Sequence, residues 1–453
     1  MPRTPRRQRR RPAAPAEPRT PAAAARVAPL GRAGSTVQRL TVILVGAVLA
    51  IGLVGAGIVL LIRGTGGAGT DTCAADPNGW NGAGGGPLHR GAVNSPAPEV
   101  GTHWSPSWSY PAVTGGAALS APPSAAAGSV FTVTADGTLV ALDAPSGRLN
   151  WTSPPGRGEA GAALVAPALD GCTAVVATSF ADPTDGQPAG AFRAVDLASH
   201  QRRWGVGSAD EAASAPQIVK GVTFAGVAAR GADSADRNYA VDGFNVGDPS
   251  SPFRKAFRAA VVASPASDGS TLWAASFDQS LYAFAIEPAT RGLRQLWSFT
   301  TNGIIVAAPV VGDGVVFVAG DDGSVYALDA TSGAQRWQFD AASPIDLTPV
   351  LGGGALVVAG RDGRVHALDA ATGHQRWSVD IRNKLSGSAG GLALTADRLV
   401  VADSGGMVHL LAVSDGAEHG TWQAPAPPRG GPAVASGMLY LTCADGRLYA
   451  LPL

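Results

Sequence analysis

The side chains of this chain that could do chemistry are its acids, histidines and cysteines, and their spacing limits what they can do. Paired carboxylates could hold a cation or move a proton, and the most conspicuous acids are Asp136, Asp321, Asp322, Asp362 and Asp445. Four of them stand in Asp136-Gly137, Asp322-Gly323, Asp362-Gly363 and Asp445-Gly446, each between two apolar runs. Asp-Gly in that setting is a hairpin signal, because Gly takes positive φ freely and the Asp side chain caps the turn. The seven histidines are scattered, with no His-x-x-x-His, no Cys-x-x-Cys and no zinc spacing. Gly84-Gly85-Gly86 has no Lys-Ser/Thr after it, so it is no phosphate loop, and no Gly-x-Ser-x-Gly nucleophile elbow is present.

The elements that would position these residues repeat. Residues 314–337 read GVVFVAGDDGSVYALDATSGAQRW, and residues 354–377 read GALVVAGRDGRVHALDAATGHQRW. The copies end in Trp337 and Trp377, a spacing that marks a repeat architecture. Each unit has a small-residue step, an apolar run, an Asp-Gly type turn, a second run, a Gly-containing turn and a tryptophan. The runs are apolar at nearly every position, as in sheets covered on both faces. Eight such units follow along the chain, and the fold expected is all-β, an eight-bladed β-propeller preceded by one N-terminal transmembrane helix. The terminal aromatics are Trp151, Trp204, Phe253 or Phe257, Trp297, Trp337, Trp377 and Trp422. The eighth unit stops at Leu453 before its tryptophan strand, and residues 102–110, with Trp108, are the expected donor. Closing the ring in this way removes exposed sheet edges. His366 and His409 fall in the slot of Tyr326 and Tyr449 in sister units, which reads as aromatic packing.

Residues 40–62 are uncharged and apolar over 23 positions, about 35 Å of helix, enough to cross a bilayer. Residues 1–39 carry ten Arg and one acid, which places that end in the cytoplasm by the positive-inside rule. The expected organisation is a disordered Arg/Pro/Ala-rich tail (1–39), a transmembrane helix (40–62), a Gly-rich linker and lead-in (63–101), and a propeller outside the membrane (102–453). Residues 64–453 carry 23 basic and 33 acidic groups, which argues against a nucleic-acid partner. Of the cysteines Cys73, Cys172 and Cys443, the last two fall in units that are not neighbours. A disulfide, permitted outside the cytoplasm, would join Cys73 to Cys172 or to Cys443.

Ala367-Leu368-Asp369-Ala370-Ala371-Thr372-Gly373-His374-Gln375-Arg376-Trp377 resembles the tryptophan-docking motif of the quinoprotein (PQQ-like) β-propeller superfamily. Ala327, Asp329, Gly333 and Trp337 repeat it, as do Ala141, Asp143, Gly147 and Trp151. Ala194, Asp196 and Trp204 match it with His200 in place of the Gly. The resemblance covers roughly residues 78–453. It implies that each tryptophan packs between blades while the Asp and Gly shape the preceding turn. The superfamily includes PQQ-dependent dehydrogenases and non-catalytic scaffolds, such as the lipoprotein of the bacterial barrel-assembly machinery. The dehydrogenases commonly carry an adjacent Cys-Cys pair and a Glu/Asn/Asp set for calcium and base catalysis, and neither can be matched here. The expectation is therefore no catalytic residues, no metal ligands, and neither PQQ nor Ca²⁺ as cofactor. The protein is expected to sit in a bacterial cell membrane as a binding or scaffold module for another envelope protein or a glycan; alternatives are a PQQ-dependent dehydrogenase or a ligand sensor.

Overall fold

The computed structural model describes residues 104–111, 117–126, 128–181, 188–208, 211–228, 239–250, 253–287, 292–382, 385 and 391–453. Residues 1–39, 40–62 and the Cys73 position lie outside them. Among the described residues no helix is long and apolar enough to cross a membrane.

The described residues form eight antiparallel sheets. The fifth shows the plan: strand A is Val310–Gly312, B is Val315–Ala319, C is Ser324–Asp329 and D is Gln335–Asp340. A to D follow one another in sequence and pair as neighbours. First strands of successive blades touch around the ring, so strand A lines the axis and strand D lies outermost. Strand B is buried at every position of blades 5 and 6, while their D strands are largely exposed. The unbroken apolar runs follow from this, since each B and C strand is covered by a blade on either side. Blade 3 carries an additional short strand, Glu211–Ala212, paired with Val222–Ala228.

Blade 8 contains Ala433–Ala435, Met438–Thr442 and Leu448–Pro452, and its outermost strand is Trp108–Tyr110. Trp108 faces Ala450 and Tyr110 faces Leu448. The ring is an eight-bladed propeller closed by a strand from the other end of the chain, which leaves no blade unpaired at the junction.

Because strands alternate in direction, the loops sort onto two faces. The D-to-A connections and the B–C turns share one, here the mouth face. The A–B and C–D turns share the other, the hairpin face.

Candidate functional site

In six of the eight blades, an Ala on strand C faces a tryptophan on strand D. The pairs are Ala141–Trp151, Ala194–Trp204, Ala283–Trp297, Ala327–Trp337, Ala367–Trp377 and Ala450–Trp108. Each indole reaches across to the next blade. Trp297, Trp337 and Trp377 donate Nε1–H to the carbonyls of Ala330, Ala370 and Val413 at 3.2, 3.1 and 2.8 Å. Trp204 bonds the Val246 carbonyl, and Trp108 crosses the closing seam to the Ala144 carbonyl at 3.1 Å.

The receiving C–D turn is built by the Asp and Gly of the repeat. The Gly373 and Gly333 N–H groups bond the carbonyls of Asp369 and Asp329 at 2.8 Å, and Gly147 does the same with Asp143. The Asp369 and Asp329 side chains accept from Thr372 N–H and Ser332 N–H, then take a guanidinium, Arg376 at 2.8 Å and Arg336 at 2.7 Å. Asp196 is tied in the same way to Ser199 and Arg203. The Arg before Trp204, Trp337 and Trp377 is thus a clamp on the turn, legible in the shared Gln-Arg-Trp of two copies. Arg376, followed by the Thr372 contacts, holds the Asp369 carboxyl down to about 2. A side chain at Gly373 would collide with Trp337, its Cβ falling 2.7 Å from the indole. His200 takes the Gly role at φ 62° and stacks on Trp151, centroids 4.6 Å apart.

One open alternative is resolved and one reading changes. Of Phe253 and Phe257, Phe253 holds the docking register in blade 3, opposite Gly243. Phe257 lies four residues on and meets Tyr282 and Phe284 edge-on. In blade 7 the docking register opposite Leu410 belongs to Gly420, and Trp422 faces Val408 two residues later. That is the register of Phe339, opposite Val325. Trp422 still packs between blades, against Tyr449 at 5.3 Å, as Phe339 packs on His366 at 5.3 Å.

The acids of the B–C turns are committed locally. Asp322 accepts the Ser324 N–H and the Tyr326 hydroxyl, and Asp445 the Arg447 N–H and the Tyr449 hydroxyl. His366 and His409 are buried in the same strand slot, with Nδ1 on Gln375 and Glu418. Burial lowers the His366 pKa, so its ring is neutral at physiological pH. Cys172 is disulfide-bonded, whereas Cys443 is free and buried. The Cys73–Cys443 alternative is thereby overturned. Burial pushes the Cys443 thiol up to about 12, which makes it a poor nucleophile.

A concave feature of the propeller is the mouth of the central channel, a cavity of about 240 Å³. It is lined by the loops entering strand A of all eight blades, including Pro123, Leu164, Val262, Val306, Leu347 and Pro432. The lining side chains are small and mostly aliphatic, with Ser264 and Thr348 among them. Among the described residues Asp346 supplies its one charge, and Arg361 neutralises it through Nε at 2.5 Å and Nη2 at 2.8 Å. Arg361 also reaches Asp321 at 3.0 Å. Leu164 stands on the rim, 65% exposed.

The chain matches the family described as outer membrane protein assembly factor BamB, with PQQ-like repeats, over residues 98–287, 257–418 and 361–452. It belongs to the BamB family. No curated protein sequence matches this BamB-family propeller. Among solved structures it resembles BamB from Moraxella catarrhalis, with 16% identity and a TM-score of 0.59, covering 78% of this chain and all of that one. It also resembles the quinohemoprotein alcohol dehydrogenase of Comamonas testosteroni, at 12% identity and TM-score 0.62 over 84% of this chain and 81% of that one. A europium-containing methanol dehydrogenase gives 10% identity and TM-score 0.65 over 83% and 98%. At such identities the likeness shows the fold alone.

The dehydrogenase likeness raises the question of whether the mouth of this BamB-family member fits PQQ and calcium. PQQ is a planar tricarboxylate, which calls for cationic side chains and a flat surface to stack on. Among the described residues neither a cation nor an aromatic ring lines the mouth, and its single carboxylate is already ion-paired. Among the same residues no group of three or more His, Cys, Asp or Glu could hold a metal ion. The described lining of the mouth therefore offers PQQ neither cationic partners nor a flat face to stack on.

Proposed function

We propose that this protein is a non-catalytic scaffold of the bacterial envelope that holds another envelope protein at the mouth of its channel. Residues 40–62 are read as a single membrane anchor with the propeller on the extracytoplasmic side. The observation that carries the reading is the mouth itself: a mostly aliphatic cavity whose one described charge is compensated, with Leu164 exposed at the rim. Such a surface suits an apolar side chain presented by a polypeptide loop. A glycan would call for aromatic stacking faces, and among the described residues none lines the mouth, which favours the protein among the two classes of partner. Membership of a family described as an assembly factor supports the same direction.

A photo-crosslinking amino acid at position 164, compared with one at Leu149 on an outer strand, tests the proposal in intact cells. Leu149 is 50% exposed, so accessibility is similar. The expected result is a protein adduct of one defined mass from position 164 and none from position 149. Equal adducts at both sites, or none at 164, would overturn it. Saturable PQQ and Ca²⁺ binding with dye reduction on alcohols would overturn the non-catalytic part.

A further inference from the structure

Seven D strands hold an aromatic residue at the docking register, whereas blade 7 holds a glycine there, Gly420. Its slot is filled nonetheless. Trp104, from the segment that leads into the closing strand, is only 4% exposed and packs in the core shared by blades 1, 7 and 8. A Cβ built on Gly420 would lie 3.6 Å from the Cβ of Trp104, so the two positions adjoin. Trp104 donates Nε1–H to the Pro452 carbonyl at 2.6 Å, at the end of strand C in blade 8. The docking tryptophans of blades 5 and 6 make the same type of bond to the carbonyl after strand C of the following blade.

We propose that Trp104 is the docking tryptophan of the blade 7–8 seam, supplied by the N-terminal segment in place of the one that strand D of blade 7 lacks. The topology gives the reason. Where Trp108, Trp151, Trp204, Trp297, Trp337 and Trp377 dock, the ring rests on a C–D turn, but in blade 8 strands C and D come from opposite ends of the chain and no such turn joins them. The room it would occupy admits residues 104–107, and Ser107 N–H bonds the Ala450 carbonyl at 2.8 Å as the segment enters the sheet. One short segment therefore docks two seams: Trp104 closes 7–8 and Trp108 closes 8–1. Blade docking and ring closure become a single cooperative event at this place. The proposal is independent of which partner the mouth receives.

The test uses the full chain in mild detergent, with thermal unfolding and hydrogen exchange of blades 7 and 8 as readouts. Trp104→Ala is expected to lower the melting temperature by roughly 5 °C, as truncation of a packed aromatic does in a domain of this size. Exchange should rise in Trp108–Tyr110 and Leu448–Pro452 while blades 4 to 6 keep their protection. Trp104→Phe, which keeps a ring but loses the N–H, should show the same local pattern at smaller size and decides the matter if the alanine variant does not fold. Gly420→Trp should recover part of the loss in the Trp104→Ala background and should destabilise the otherwise wild-type chain, because two indoles then compete for one slot. An unchanged melting temperature in Trp104→Ala overturns the proposal, as does a rise in exchange spread evenly over all blades. Failure of Gly420→Trp to recover any stability would overturn the equivalence of the two positions.

Discussion

Gly333 and Gly314 share φ +73°, yet they carry different burdens. A Cβ on Gly314 meets nothing closer than the Arg336 guanidinium at 3.9 Å, whereas one on Gly333 would lie 2.6 Å from the Trp297 ring. Gly314→Ala should cost about 1 kcal/mol, the left-handed backbone penalty alone. Gly333→Ala adds displacement of a docked indole and should cost roughly 2–4 kcal/mol, by analogy with overpacking. Chemical denaturation of the two variants separates these contributions, and equal losses would mean that Trp297 is not seated on the turn. His200 shows the reverse accommodation, keeping the positive φ and using its ring to stack on Trp151. The Gly-to-His change is visible in the sequence; the stacking requires the neighbouring blade.

At the scale of the element, the C–D hairpin is held by an ion pair whose strength depends on pH. The Asp369 carboxyl is lowered to about 2 in the folded state, chiefly by Arg376. A depressed folded pKa means that the ionised carboxylate stabilises the fold above the unfolded value, about 4, and that this contribution fades as pH falls from there towards 2. Asp329 is lowered in the same way by Arg336. Melting temperature should therefore drop across that window, and Asp369→Asn should be less stable than the wild type at pH 7 but approach it near pH 2. A gap between the two that stays constant with pH would remove the carboxylate charge as the cause. This hairpin is readable from residues alone because Asp, Gly, Arg and Trp lie within one short stretch. The register of Trp422 is less plain, because the motif is degenerate in this unit: Trp422 lies six residues after Gly416, whereas Trp337 and Trp377 lie four after Gly333 and Gly373, so strand pairing with the bulge common to these blades puts Gly420 at the docking position.

For the whole molecule, the seam at blade 8 differs from the others in connectivity. Trp337 and Trp108 are both partly buried, and each donates one 3.1 Å bond to a carbonyl of the next blade. Locally, Trp337→Ala and Trp108→Ala should each cost up to about 3–5 kcal/mol. Around Trp337 the chain runs on through the next loop. The three-residue strand bearing Trp108 is instead held to blade 8 by non-covalent contacts alone, its pairing together with the Trp104–Pro452 and Arg447–Ser109 bonds. Trp108→Ala should thus be the more destabilising and should raise hydrogen exchange in Leu448–Pro452. Equal melting temperatures for the two variants would show that closure adds nothing to docking.

The amino-acid order alone determined the repeat, the number of blades and the use of an N-terminal strand to complete the ring, because these depend on local turn chemistry and on a spacing that recurs. It did not assign Trp104, since one tryptophan near another in a Pro/Ser-rich stretch has no distinguishing context. Nor did it locate the channel mouth, whose lining comes from eight loops far apart along the chain. Those features arise only when the blades close, because ring closure is what brings positions 104 and 452, or 123 and 432, against one another.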